Sequence, residues 1–276
     1  MRRTIAIIYI IISAFLWGVS FPLVKSALYR VSPLELFFLR FLFSAVLVLP
    51  FLDRRVINKA FIILGFLNSA AFLIEFVGQK YTTATEAALI TIAILPLVAI
   101  ISFTIGEKLN FKKSLAAILT IAGAVIIITR LDLKNLSFSS VKGNILVFIA
   151  TFLWAVFTVL SRKIQKEGME KTSWMVIFWT GIFALPSAAF TKINISLYSV
   201  SVAIILAVFC TILAFYLFLE AMKVIDATTA EIIITLQLVF ALIPSIIFLG
   251  EKLTLPIILG SILTISSILL VAKEEG

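Results

Sequence analysis

Three charged residues stand inside otherwise apolar stretches of the chain: Arg40, Glu75 and Glu220. A charge held in hydrocarbon is costly, so each is a candidate for an ion pair, a solute contact or a proton carrier. Arg40 and Glu75 fall at similar depths, roughly 10 Å inside their segments at 1.5 Å per residue. They are expected to meet as a partly buried pair, because a lone arginine at that depth needs a partner. Glu220 has no arginine counterpart and carries two readings. It pairs with Lys223 at i, i+3 near a helix end, or it takes up a proton when desolvated and gates a solute. Glu35, Glu86 and Glu231 close the runs Ser32–Glu35, Thr83–Glu86 and Thr228–Glu231 at the capping-box spacing, so they are read as residues of helix starts.

Neutral polar and aromatic residues complete the candidate site. Trp17 and Trp154 flank a space in which Asn68, Thr91, Tyr216, Thr235 and Gln237 are hydrogen-bonding candidates, since apolar cavities with a few polar groups suit small metabolites. Pro22, Pro96 and Pro244 are expected to break their helices. Catalytic chemistry lacks its usual carriers. The sequence has no His, a single Cys (Cys210) and no G-x-x-x-x-G-K-[ST] phosphate loop. No catalytic residue, metal or cofactor is therefore expected, and the chain is read as no enzyme; its work must draw on gradients.

These residues need elements to hold them. Of 276 residues, 62% are hydrophobic and 13% charged, which excludes a water-soluble globule. Runs free of Asp, Glu, Lys and Arg cover 4–24, 41–52, 60–74, 87–106, 114–129, 143–161, 172–191, 193–219, 232–250 and 253–272. The second and third reach full spanning length once Glu35, Arg40 and Glu75 are counted within them. The first follows Arg2 and Arg3 without a small-x-small cleavage site, so it is read as a span and not as a signal peptide.

An internal repeat organises the ten spans. Residues 106–121 (GEKLNFKKSLAAILTI) and 250–265 (GEKLTLPIILGSILTI) agree at 9 of 16 positions. Phe15-Leu16-Trp17 returns as Phe152-Leu153-Trp154, and the Glu75 and Glu86 pair returns as Glu220 and Glu231. Two copies of five spans place the second copy in the membrane upside down relative to the first. The predicted fold is an all-α membrane protein of ten transmembrane helices in two inverted five-helix repeats, residues 1–135 and 136–276. With the N-terminus inside, 14 Lys and Arg fall on the cytoplasmic face and 8 outside, and Lys112 and Lys113 of one copy become Pro256 and Ile257 in the other. The net charge of +9 is accordingly read as topology, with no nucleic-acid partner.

With Phe15-Leu16-Trp17-Gly18, Ser20 and Pro22 in the first span, Ser32-Pro33 and Leu39-Arg40-Phe41 in the second, and the two Gly-Glu-Lys-Leu segments, the chain resembles the drug/metabolite transporter superfamily. The similarity is to its EamA-type ten-helix family and covers the whole chain. The resemblance implies inverted five-helix halves, a multi-pass protein of the cell membrane with both termini cytoplasmic, and a central cavity among spans 1, 3, 4, 6, 8 and 9. It also implies export of amino acids or other small metabolites by alternating access. One departure is Gln237-Leu238, where relatives often carry Glu-Pro, so that position has no charge here. The expected partners are a small-molecule solute, the lipid bilayer and protons as a coupling candidate, with a monomer or a homodimer both open. A sugar-nucleotide or sugar-phosphate exchanger is the alternative carrier and would need several basic cavity residues, of which Arg40 alone qualifies. A noncatalytic receptor or scaffold is the alternative from another class.

Overall fold

In the computed structural model, which describes residues 2–82, 87, 90–106, 110–129, 141–166, 172–249 and 255–273, the apolar runs are helices and no strand occurs among the described residues. In chain order these are α1 (Arg3–Ala27), α2 (Pro33–Val48), α3 (Lys59–Tyr81), α4 (Ile94–Thr104), α5 (Phe111–Thr129), α6 (Val141–Lys166), α7 (Thr172–Ala184), α8 (Leu197–Ala207), α9 (Ala214–Ala221), α10 (Ala227–Ile234), α11 (Leu236–Leu249) and α12 (Leu255–Lys273). Among the described residues, six stretches are long and apolar enough to cross a bilayer: Arg3–Ala27, Pro33–Phe51, Lys59–Tyr81, Val141–Gln165, Thr172–Phe190 and Leu197–Ala221. The chain is thus a polytopic helical membrane protein. Helices satisfy their own backbone groups, which is what hydrocarbon demands.

Several starts are fixed by side chains. Ser32 accepts the Glu35 amide at 3.1 Å with Pro33 at the first helical position, and Asn58 accepts the Ala60 amide at 2.9 Å. Ser196 and Ser199 form a reciprocal box ahead of α8. Two of the expected capping boxes take another form. The Glu35 carboxylate accepts the Asn194 amide at 3.1 Å, tying the start of α2 to the approach to α8 instead of closing back on Ser32. Asp226 is the cap of α10 and accepts the Thr229 amide, so Glu231 lies more than a turn further in. Thr83–Glu86, the charges of both Gly-Glu-Lys-Leu segments and the 130–140 connection lie outside the described residues.

The prolines do not break the helices. Pro22 and Pro244 sit inside continuous α1 and α11, and Pro96 occupies the first turn of α4, where a missing N–H leaves no intrahelical bond unmade. Irregularities come elsewhere: a 3-10 turn at Thr91–Ala93, a π-helical segment at Val208–Leu213 between α8 and α9, and Thr235 between α10 and α11.

The exterior is apolar, with Ile100, Phe103, Phe148 and Ile262 exposed, while Arg40, Asn68, Thr180 and Glu231 are buried. Where both lipid and helix surfaces are apolar, close contact and internal hydrogen bonds hold helices together. At Gly18 of α1 a Cβ would come 2.5 Å from the Gln237 carbonyl of α11, and at Gly65 of α3 one would come 2.3 Å from Cβ of Trp179 in α7. Only glycine permits these approaches. The α3 and α7 helices are also joined by Asn68 Nδ2 donating to Thr180 Oγ1 at 2.9 Å. Along α3 and α6, Phe72 meets Trp154 while Tyr81 meets Gly143, so the two run antiparallel.

Candidate functional site

Helices from both parts of the chain line a largely apolar cavity of about 70 Å³ that carries a few polar groups. That is room for roughly five waters at 10–15 Å³ each. α1 contributes Trp17, Ser20 and Phe21, α3 contributes Ala71, Phe72 and Glu75, and α6 contributes Ala150, Thr151 and Trp154. Thr91 and Ile94 enter where the 3-10 turn meets α4, Glu231 and Ile234 from α10, and Gln237 from the first turn of α11. Of the helix irregularities, the 3-10 turn brings Thr91 to the cavity, and the π segment offers the Cys210 carbonyl to Trp17 and Arg40.

Trp17 and Trp154 meet edge to face with centroids 5.4 Å apart. The indole N–H of Trp17 donates at 2.9 Å to the carbonyl of Cys210, inside the π segment, which fixes its ring. Trp154 is held by stacking on Phe157 and by the edge of Phe215. Glu75 is half-buried, and its Oε1 accepts from Gln79 Nε2 at 2.7 Å one turn along α3. Glu231 is fully buried; its Oε1 accepts from Thr158 Oγ1 at 2.8 Å, the Trp154 indole N–H also faces the carboxyl, and Oε2 makes no hydrogen bond of regular geometry.

Of the residues expected from sequence to contact solute, Trp17, Thr91, Trp154 and Gln237 line the cavity, and Glu75 does so from the charged set. Asn68 is instead committed to Thr180, Tyr216 stacks on Trp174 at 5.1 Å, and Thr235 donates to the Ile232 carbonyl at the end of α10. Arg40 and Glu75 lie near enough for their charges to interact, but the expected direct ion-pair contact between them is not made. Arg40 Nε donates to Thr211 Oγ1 at 2.8 Å and Nη2 to the Cys210 carbonyl at 3.0 Å, with the Phe72 ring 4.8 Å and the Phe76 ring 5.7 Å from the guanidinium. The π turn supplies these acceptors, and Thr211 in turn donates to the Leu206 carbonyl five residues back. Glu220 pairs with Lys223 at 2.6 Å, both partly exposed, and does not line the cavity.

Glu231 is the cavity residue that the capping-box reading passed over. Two signals in the sequence bear on it. Asp226 stands three residues ahead of Thr229 and is the better cap, and Thr158 lies four residues beyond Trp154, on the same face of its helix.

The contacts of the polar loops divide into two groups. Lys113 pairs with Asp226 at 2.7 Å, Arg162 donates to the Met222 carbonyl, and Gln165 Nε2 donates to the Leu219 carbonyl. Burial alone would raise the Asp226 carboxyl, but hydrogen bonds from Lys113 and Thr229 outweigh it and hold the group below its ordinary value of 3.8. In the second group, Lys25 Nζ donates to the carbonyls of Gln79 and Thr82, Ser32 meets Thr191, and Glu35 meets Asn194.

Fold and site together define a multi-pass helical membrane protein with an internal, mixed polar and aromatic cavity. Residues 4–129 and 141–273 match the model of the EamA-like transporter family, and the chain belongs to that family. It is 26% identical to an uncharacterized transporter of Archaeoglobus fulgidus over 96% of both chains, and 25% identical to one of Bacillus subtilis over 95% of this chain and 92% of that protein. A probable amino-acid metabolite efflux pump of Escherichia coli is 24% identical over 61% of this chain and 57% of its own length. A crystal structure of the same fold superposes with a TM-score of 0.83 at 17% identity, covering 99% of this chain and 98% of that one. As a member of a transporter family, the protein has a small-molecule solute and the bilayer as its partners.

Proposed function

We propose that the protein is a secondary transporter that exports small organic metabolites, amino acids and their derivatives among them, across the cell membrane by alternating access. The moving parts are two inverted five-helix halves, residues 1–135 and 136–276, ten spans in all, with both termini cytoplasmic. The observation that carries this reading is the meeting of Trp17 and Trp154, the same position of the repeated Phe-Leu-Trp, at one cavity between the halves. Inverted-repeat carriers build their sites at such interfaces. The division of these contacts supports the topology: Lys113 and Arg162 belong to one group and Lys25 to the other, as the charge assignment requires. The family match in two segments supports the repeat, and the efflux pump among the relatives supports export.

Glu75 and Glu231 are the ionisable groups best placed to carry a coupling proton, since both line the cavity. Two experiments test the proposal. Cysteines placed at Lys112 and Pro256 should label from opposite faces of the membrane, and labelling of both from one face removes the inverted arrangement. Purified protein in liposomes should exchange a labelled solute from a panel of amino acids and their derivatives; absence of flux above empty liposomes for the whole panel removes the carrier.

A further inference from the structure

We propose that the cavity selects small organic amines, solutes with a protonated ammonium group and no carboxylate, which rests on the carrier reading above and narrows its solute. The lining is rich in acceptors. Ser20 donates its hydroxyl proton to the Trp17 carbonyl at 2.7 Å and Thr151 donates to the Val147 carbonyl at 2.8 Å, so each turns lone pairs toward the space. The Trp17 N–H is likewise committed to Cys210. Against this background stand two carboxyl groups, and one of them, Glu231, is fully buried with Oε2 making no regular hydrogen bond. A buried acceptor in that condition calls for a donor from a ligand.

An ammonium supplies three donors and no acceptor, which is the complement of this lining. The aromatic walls act in the same direction, because a cation within about 6 Å of a ring face is attracted to it, and Trp17, Trp154 and Phe72 present rings to the cavity. A solute carboxylate fares worse. No Lys or Arg occurs among the described lining residues. Arg40 is bonded to Cys210 and Thr211 beside the Phe72 ring, and Lys25 Nζ is bonded to the carbonyls of Gln79 and Thr82 at the end of α3. An amino acid would therefore bring its negative end to a lining whose side-chain donors, such as the Gln237 amide, are neutral and which holds two carboxyl groups, whereas the amine derived from it has no negative end to place.

Isoamylamine, leucine and 4-methylpentanoate share one branched skeleton and differ in their charged groups. Thermal stabilisation and affinity of the purified full chain for each, followed by flux in liposomes, form the test. Isoamylamine is expected to raise the melting temperature and bind at least about tenfold more tightly than leucine, with no effect of 4-methylpentanoate, because a site built for a donor rejects analogues that lack it or add charge of the wrong sign. Glu231→Gln should lose the amine response while its ligand-free melting stays near wild type; Glu75→Gln serves as a second variant and should weaken it. Equal or tighter binding of leucine or the acid, no stabilisation by the amine, or an unchanged response in both variants overturns the selection for amines. Flux of leucine with amine indifference would leave the carrier standing without the inference, and no flux of any solute would remove both.

Discussion

Arg40 and Glu231 are both buried charges within the helical bundle, 1% and 0% exposed, and they are treated in opposite ways. The guanidinium is surrounded: two of its nitrogens donate to Thr211 and Cys210, and the rings of Phe41, Phe72 and Phe76 lie against it. The carboxyl accepts from Thr158 and has the Trp154 indole N–H beside it, but its Oε2 makes no regular hydrogen bond and lies beside a cavity. Burial of charge is therefore a poor marker of a working group by itself. An unfilled hydrogen-bond position next to open space is the better one, since structural charges are the ones whose needs the fold has already met.

The sharpest way to break this contrast is Arg40→Ala. It strips the π segment of the cation that its carbonyl and hydroxyl face and should cost about 3 kcal/mol from lost charge-assisted hydrogen bonds and cation–π contacts. Melting in detergent should fall strongly, with Arg40→Lys recovering part of the loss because a single ammonium cannot span both acceptors. Wild-type melting in Arg40→Ala would end its structural role. Glu231→Gln should behave in reverse: the amide oxygen still accepts from Thr158, so stability should stay within about 1 kcal/mol, while flux drops at least tenfold. A collapse in folded protein comparable to Arg40→Ala would erase the distinction.

Smaller effects are expected outside the bundle. Asp226→Asn breaks the tie to Lys113 and should cost about 1 kcal/mol. The depressed Asp226 group stabilises the fold above its unfolded value of 3.8, and that stabilisation is lost as pH falls through the lower folded value. The variant should accordingly show a flatter loss of melting temperature on acidification than wild type, and parallel curves would refute the assignment. Smallest of all is Glu220→Gln, which removes a partly exposed pair worth up to about 0.5 kcal/mol. Its flux and the pH profile of that flux should match wild type; an altered profile would restore Glu220 as a gate and place coupling outside the cavity.

Much of this molecule can be read from its residues. The apolar runs define the helices because a helix satisfies its own backbone groups in hydrocarbon, and the repeated Phe-Leu-Trp alone points to Trp17 and Trp154. Arg40 and Glu75 illustrate where that legibility stops. Matching depth brings two charges to one level, but which of them touch depends on rotation about each helix axis and on a π turn that no residue pattern announces. Glu231 was obscured differently. Its hydroxyl-acid spacing fits a helix start, and only the choice between Asp226 and Thr228 as cap decides whether the carboxyl faces solvent or lies more than a turn inside. Asn68, Tyr216 and Thr235 are polar residues within spans, yet contacts on adjacent turns or helices engage the Asn68 amide nitrogen, the Tyr216 ring and the Thr235 hydroxyl away from the cavity.

The most direct test of transport through this cavity is counterflow in liposomes reconstituted with equal amounts of folded wild-type protein and Glu231→Gln. Vesicles loaded with an unlabelled amine or amino acid are diluted into the labelled compound, so that uptake requires exchange through the protein. Wild type should accumulate label transiently and Glu231→Gln should not exceed empty vesicles. Equal counterflow by both proteins would contradict the account, because solute would then be crossing by a route in which the open carboxyl of Glu231 takes no part.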